Sequence, residues 1–339
     1  MPTLAESLGL RPRPFRIITL DGGGVRGVIS LIWLERLEQH LRAPIAAHVE
    51  LIAGTSVGAI IGCALGAGRS AEEIHGLWVG SAHTAFARPA GLSDHLRRFA
   101  HLGGMAPKYL DTGLIDMLKS VFGDLTMGQL QRPTLALAYC PKTLSVHVFS
   151  SMSEEHQDLP VWEVCRASAA APLFFSPYHM VINERGDRSP LIDGGVTANN
   201  PVVVALSEAF RGNGKARTVN DVLVASFGTG EPATPDAASP RTIFGHQSLL
   251  LRALVRGASH TAEHTTKVML PARNYWRFQV PLPDALVPLD AADNIDALIQ
   301  LALAHLENGA DGRLHDLARR MQGKRPQPGW FERTRRISA

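Results

Sequence analysis

The chain contains 339 residues, of which 45% are hydrophobic and 19% are charged, and its formal net charge is +3. The apolar fraction is large enough for a sizeable core, and the small net charge excludes the strongly basic composition typical of proteins that bind nucleic-acid polymers. No apolar run reaches the ~18 residues needed to cross a bilayer, and residues 1–15 lack the apolar core of a secretory signal. Cys63, Cys140 and Cys165 lie in apolar contexts, so they are predicted to be reduced thiols of an intracellular protein.

The first predicted strand, residues 16–20, runs into the glycine-rich sequence DGGGVRG at residues 21–27. Apolar residues at helical spacing follow as far as Leu41, so the glycines open a helix. Consecutive glycines leave successive backbone N–H groups unshielded at the helix N-terminus, where the helix dipole favours negative charge. Residues 22–26, hereafter the glycine loop, are therefore predicted to hold an oxyanion. The candidate oxyanion-hole residues are Gly22, Gly23, Gly24 and Arg26.

A second strand–turn–helix unit follows. A buried strand is predicted at residues 49–53 and an apolar helix at residues 59–65, and the sequence GTSVG joins them. This context predicts a nucleophile elbow with Ser56 as the nucleophile. The flanking Gly54 and Gly58 let the turn close tightly, so that the hydroxyl projects at the helix N-terminus.

The later predicted elements alternate along the chain, as a doubly wound α/β sheet requires. Strands are predicted at 134–139, 146–149, 179–182 and 222–227, and helices at 112–122, 160–169, 201–210 and 246–268. Asp111 is expected to cap the helix that follows it. Residues 83–105 carry apolar side chains among Pro and Gly; they fit either a mobile cover over a lipid channel or a packed connector.

Asp193 stands at the end of an apolar segment, in a turn formed with Gly194 and Gly195. Held in this turn, Asp193 is a candidate base for the Ser56 hydroxyl. An aspartate is ordinarily a weak base, with a reference pKa near ~3.9. The glycine loop must therefore carry much of the catalysis by stabilising the negative charge that develops as the serine attacks.

The three motifs at 21–27, 54–58 and 193–195, in this order, resemble the patatin-like phospholipase family. The similarity covers about residues 15–280 and extends to residues 111–114, 167–175, 199–201 and 226–230. The resemblance implies an α/β fold, a three-layer sandwich with a central, mostly parallel sheet flanked by helices. It also implies a Ser56–Asp193 dyad without histidine, an oxyanion hole in the glycine loop, and hydrolysis of phospholipid acyl esters without a metal or other cofactor.

The resemblance further implies partners and a location. The substrate is a phospholipid, and the protein is expected to be cytoplasmic and to contact the inner face of the membrane peripherally when active. Members without a secretion signal include bacterial effectors, some of them switched on by cyclic nucleotides in antiviral defence, so cyclic-nucleotide activation is a hypothesis for this chain. The sequence leaves open the oligomeric state, including a homo-oligomer, and the acyl position that is cleaved.

Three other functions are compatible with parts of the sequence. An α/β-hydrolase triad would add a histidine after Asp193, with His246, His260, His264 and His305 as candidates. The glycine loop formally satisfies GxGxxG, but the next strand lacks the terminal acid that a dinucleotide site needs. A catalytically silent scaffold of the same fold is disfavoured because all three chemical elements are present.

The domain organisation predicted from these observations has three parts. Residues 1–14 form an N-terminal extension, residues 15–280 the catalytic domain, and residues 281–339 a C-terminal helical segment with a basic tail. The arginines and lysines from Arg319 onward stand beside Trp330 and Phe331, a composition that fits either contact with an anionic membrane surface or a solvated tail.

Overall fold

A computed structural model describes residues 13–86, 107–182, 186–211, 216, 218–233 and 243–323, with the backbone alone for residues 243–252. Most of the predicted N-terminal extension, most of the 83–105 segment and the basic tail beyond residue 323 lie outside the described residues.

The described strands form a central eight-stranded sheet and a separate two-stranded sheet. The strands are β1 (Phe15–Leu20), β2 (Leu51–Thr55), β3 (Thr134–Cys140), β4 (Ser145–Ser150), β5 (Tyr178–Val181), β6 (Arg188–Asp193), β7 (Val222–Phe227), β8 (Glu231–Pro232), β9 (Tyr275–Phe278) and β10 (Pro281–Leu282). The large sheet has the order β5-β6-β3-β2-β1-β7-β9, and β4 pairs with β3. Its centre, from β3 to β9, is parallel, while β4, β5 and β6 add antiparallel pairs.

Helices cover both faces of this sheet. They are α1 (Gly27–Leu41), α2 (Val57–Gly66), α3 (Ala71–Ala85), α4 (Asp111–Phe122), α5 (Val161–Ser168), α6 (Gly195–Ala198), α7 (Val202–Phe210), α8 (Ile243–Met269), α9 (Ile295–His305) and α10 (Asp311–Met321). Neighbouring residues of β1 point to opposite faces. Ile18 packs in the core cluster that contains α1 and α2, whereas Ile17 packs with α7. The predicted three-layer α/β fold with a mostly parallel central sheet is confirmed.

The topology brings the three motifs to one region of the sheet. Strands β1 and β2 are parallel neighbours, with Leu20 beside Gly54, so the glycine loop and Ser56 leave the sheet at the same edge. Asp193 ends the antiparallel strand β6 and lies beside Ala138 of β3. Because Leu137, the preceding residue of β3, is paired with Thr55, Asp193 reaches the position next to the elbow.

The segment after residue 280 packs onto the first helix. Asp311, at the start of α10, accepts hydrogen bonds from Arg36 at 3.2 Å and His40 at 2.8 Å, and Leu298 and Leu314 belong to the same core cluster as α1. The described part of this segment contains β10, α9 and α10. Its treatment as a unit separate from the catalytic domain stays a prediction.

The capping role expected for Asp111 is wrong. Leu110 occupies the N-cap position of α4 without a side-chain cap, and Asp111 is the first helical residue. Its carboxylate instead accepts a hydrogen bond of 2.6 Å from the buried Arg166 of α5. Leaving the buried Arg166 guanidinium without a counter-charge would cost more free energy than a helix cap contributes, so the Asp111 carboxylate pairs with Arg166.

Candidate active site

Ser56 occupies a sharp turn between β2 and α2. Its backbone has φ 56° and ψ −125°, in the left-handed region that a residue with a side chain adopts at a cost of about 1–3 kcal/mol. It is the N-cap residue of α2, so its hydroxyl stands at the positive end of the helix dipole. The backbone therefore has the strained conformation expected of a nucleophile elbow.

The elbow glycines are required by close backbone contacts. A Cβ atom at Gly54 would lie 2.1 Å from the Gly58 carbonyl oxygen, and one at Gly58 would lie 2.2 Å from the Leu20 carbonyl oxygen. The second contact presses the start of α2 against the end of β1. Larger residues at either position would push Ser56 away from the glycine loop.

Ser168, the last residue of α5, holds the elbow in place. Its buried hydroxyl accepts a hydrogen bond of 2.9 Å from the Ser56 amide and donates one of 2.6 Å to the Leu137 carbonyl. The elbow is thereby tied to β3, the strand beside which Asp193 lies. No spacing in the sequence indicated this contact, which joins residues 112 positions apart.

The structure places the Asp193 carboxylate close enough to the Ser56 hydroxyl for a side-chain hydrogen bond from Ser56 to lower the Asp193 pKa. The Asp193 carboxylate also accepts the Gly195 amide at 2.7 Å, and the Asp193 amide donates to the Ala170 carbonyl at 3.0 Å. Gly194 allows this turn to approach β3, because a Cβ there would lie 2.4 Å from the Leu137 oxygen. The Asp193 turn is thus held through both its carboxylate and its backbone amide.

Burial raises the pKa of Asp193 to about 6, against the opposing effects of the hydrogen bonds from Ser56 and Gly195. A carboxylate with a pKa near 6 is a stronger base than an exposed aspartate and remains ionised at neutral pH. From the sequence, the glycine loop was expected to compensate for the weakness of aspartate as a base. The structure adds that burial makes Asp193 a stronger base.

Ester hydrolysis is expected to fall as the pH drops through about 6, because Asp193 must be ionised to accept the serine proton. The measurement is kcat/KM on an uncharged soluble ester from about pH 5 to about pH 8. Burial also raises the pKa of Asp21 to about 6. The Asp21→Asn variant is therefore the control: whatever its maximal rate, its kcat/KM should still fall below about pH 6, because Asp193 remains. A wild-type profile that stays flat across this range would contradict the assignment of Asp193 as the base.

The three glycine amides of the glycine loop differ in their hydrogen bonding. The Gly22 amide donates to the Asn199 carbonyl at 3.1 Å, and the Gly22 carbonyl accepts the Thr229 hydroxyl at 2.8 Å. Within the described part of the chain, the amides of Gly23 and Gly24 donate no hydrogen bond. The oxyanion hole predicted here thus has Gly23 and Gly24 as available donors, with Gly22 anchoring the loop.

Arg26 contacts the backbone around the loop. Its guanidinium donates to the Gly23 carbonyl at 3.4 Å and to the Val287 carbonyl at 3.2 Å. These contacts tie Arg26 to the glycine loop and to the C-terminal segment, and the guanidinium supplies positive charge near the site.

A buried ion pair fixes the residue before the loop. Asp21 receives a bidentate pair of hydrogen bonds, 3.0 and 2.5 Å, from Arg277 of β9, which also donates to Ser226 and Glu263. Burial works to lower the pKa of Arg277, but the contact with Asp21 outweighs it and raises that pKa. Arg277 therefore stays charged, and the pair clamps the end of β1 to the far strand of the sheet.

Asn199 completes the surroundings of the dyad. A Cβ atom at Gly22 would meet the Asn199 side-chain oxygen at 2.5 Å and the Ser56 Cβ at 3.2 Å, and one at Gly195 would meet the same oxygen at 3.0 Å. The Asn199 amide nitrogen donates to Ser259 of α8 at 3.2 Å. This side chain thus fills the space between the glycine loop and the Asp193 turn.

Among the histidines whose side chains are described, none bonds to Ser56 or Asp193. His260 lies 3.4 Å from Glu231, and His305 packs against the Trp33 ring with centroids 5.6 Å apart. The side chain of His246 lies outside the described residues. In the described residues no cluster of three or more His, Cys, Asp or Glu side chains could hold a metal ion, and no helix is long and apolar enough to span a membrane.

Comparisons with known proteins point to one family. A family model described as patatin-like phospholipase matches residues 18–206, which include all three motifs. The chain is 31% identical to patatin-like protein 1 of Arabidopsis thaliana over 63% of this chain and 58% of that protein. It is 28% identical to probable inactive patatin-like protein 9 of the same plant over 68% of this chain and 64% of that protein. It thus spans about three fifths of the length of these two relatives. A cGAMP-activated phospholipase of Escherichia coli strain TW11681 is 27% identical over 91% of this chain and 88% of that protein.

Proposed function

The chain belongs to the patatin-like phospholipase family, and from this premise we propose that it is a lipid acyl hydrolase that cleaves ester bonds of membrane phospholipids. The observation that carries the proposal is the position of the buried Asp193 carboxylate beside the hydroxyl of Ser56, which stands on a strained elbow. The amides of Gly23 and Gly24, which donate no hydrogen bond to any described residue, supply the second requirement of acyl transfer, because they can stabilise an oxyanion.

In the proposed reaction the Ser56 oxygen attacks the acyl carbonyl carbon while its proton passes to Asp193. The carbonyl oxygen becomes an oxyanion that accepts hydrogen bonds from Gly23 and Gly24. The tetrahedral intermediate collapses to an acyl-serine, and the departing lysophospholipid oxygen takes the proton from Asp193. Water then attacks the acyl-serine with Asp193 again acting as base, releasing a fatty acid and restoring the serine.

The test is product analysis on vesicles of defined phospholipids with a different acyl chain at each glycerol position. One fatty acid and one lysophospholipid should appear per turnover, and their masses would give the position that is cleaved. The matched control is the Ser56→Ala protein. If the protein hydrolysed soluble esters but left the phospholipids of the vesicles uncleaved, the proposed substrate class would be contradicted, although the dyad would not.

The proposal includes a regulated form of this activity, that of a bacterial effector in antiviral defence activated by a cyclic nucleotide. Support comes from the relative named cGAMP-activated phospholipase, which aligns over 91% of the chain. Such an enzyme would be cytoplasmic and would contact the inner face of the membrane only when active. Phospholipid hydrolysis is therefore measured with and without cyclic dinucleotides, and full activity without any of them would contradict the regulatory part alone.

A silent scaffold of the same fold is the second candidate, because one relative is named probable inactive patatin-like protein 9. In this chain, however, Ser56 and Asp193 are both present, and their side chains lie beside each other. A scaffold would not react with a fluorophosphonate, whereas a nucleophilic serine would.

A further inference from the structure

Residues 287–290 hold the glycine loop from the side of the C-terminal segment. The Val25 amide donates to the Leu289 carbonyl at 2.8 Å, and Arg26 donates to the Val287 carbonyl at 3.2 Å. The Leu289 carbonyl also packs directly on Gly24, because a Cβ atom there would lie 2.0 Å from its oxygen. These contacts fix three successive residues of the loop.

The segment 287–290 is itself held through Asp290. One carboxylate oxygen of Asp290 accepts a hydrogen bond of 2.7 Å from the Tyr109 hydroxyl and also pairs with the Lys108 ammonium group. The Asp290 side chain is only 11% exposed, so these two donors replace most of the water that a free carboxylate would have.

Lys108 and Tyr109 connect Asp290 to the loop that contacts Asp193. Their amides donate to the carbonyls of Leu173 and Phe174, each at 2.9 Å, and the Tyr109 ring stacks on Phe174. The same loop contains Ala170, whose carbonyl accepts the Asp193 amide. A continuous path of contacts therefore runs from the glycine loop through Asp290 to the Asp193 turn.

We propose that Asp290 is a positioning residue that holds the amides of Gly23 and Gly24 in the geometry of an oxyanion hole, acting through Leu289. This inference rests on the proposed function of the glycine loop. Oxyanion stabilisation depends on donors that are already oriented before the reaction, and removing one donor costs about 100- to 1000-fold in kcat. Loosening the loop without removing a donor is expected to cost about 10- to 100-fold in kcat, with KM nearly unchanged.

The experiment compares Asp290→Asn with Asp293→Asn. Asp293 lies three residues further along the chain, but its side chain is 98% exposed and lies 3.9 Å from His83, so it is a matched control for the loss of one charge. On a soluble ester, Asp290→Asn should lower kcat by about 10- to 100-fold and the control should not. The affinity for a trifluoromethyl ketone, which forms an oxyanion at the site, should fall in parallel with kcat/KM.

A second measurement does not depend on catalysis. In the Ser56→Ala background, hydrogen exchange of the Val25 amide should accelerate at least about tenfold when Asp290→Asn is added, because its bond to Leu289 opens more often. Absence of wild-type esterase activity would count against the proposed function, whereas unchanged Val25 exchange would count against the role of Asp290.

Two further variants cover the case in which Asp290→Asn fails to fold. Lys108→Met and Tyr109→Phe each remove one partner of Asp290, and each should lower kcat several-fold and accelerate Val25 exchange. Wild-type kcat and exchange in both, or in a folded Asp290→Asn protein, would overturn the proposal.

Discussion

Replacement of Ser56 by alanine is expected to lower kcat on phospholipid vesicles by about a million-fold, the loss typical of removing the nucleophile of a serine hydrolase. The substitution removes only the hydroxyl oxygen. Alanine should occupy the left-handed turn at about the same cost as serine, since both residues carry a Cβ atom. The unfolding midpoint should therefore stay close to that of the wild type.

The measured quantity is fatty-acid release, followed by mass spectrometry, and thermal unfolding of both proteins is the control. Ser168→Ala provides a comparison at a buried serine of the same site. It removes the acceptor of the Ser56 amide rather than the nucleophile, so it should leave measurable turnover. Near-full activity of Ser56→Ala would remove this residue from the mechanism.

Replacement of Asp193 by asparagine is expected to lower kcat by about ten-thousand-fold, the upper range for removing a general base. The amide oxygen can still accept the Gly195 amide, so the turn should persist. The amide cannot take the serine proton. The substitution also removes a buried carboxylate, whose pKa is raised by burial to about 6. Because the ionised form of this carboxylate is unfavourable in the folded protein, the variant should be no less stable than the wild type above that pH.

The control for this variant is chemical. An asparagine at position 193 would precede Gly194, and Asn-Gly sequences deamidate to aspartate, so the intact mass is checked before each assay. Asp193→Ala, which cannot revert in this way, should show the same loss. Turnover above a tenth of the wild-type rate in both variants would mean that another group serves as base.

Much of the fold could be predicted because the central strands are short apolar runs between turn residues. Strand β7 was predicted with its observed ends, Val222–Phe227, and β2 was displaced by two residues. Strand β9 was not predicted, because Arg277 in its middle indicates an exposed position, whereas Asp21 neutralises it in the core. Helix α3 was not predicted either, although Ser70 and Glu73 form a capping box that marks its start.

The candidate dyad residues Ser56 and Asp193 could be named from the sequence because they stand in short motifs whose turns have a physical reason. The residues that hold the dyad in place could not. Ser168, Asn199, Arg277 and Asp290 act through contacts between positions far apart in the chain, and each residue type is ordinary in its local sequence. Such contacts depend on the order of strands in the sheet, which local patterns do not encode.

The most direct test of the dyad is the site of reaction with a fluorophosphonate. After incubation, peptide mapping should find one phosphonyl group, attached to Ser56, and Asp193→Asn should slow its formation by the same factor as ester hydrolysis. Labelling at another serine, or active enzyme that does not label at all, would contradict the central claim that Ser56 and Asp193 form the catalytic pair.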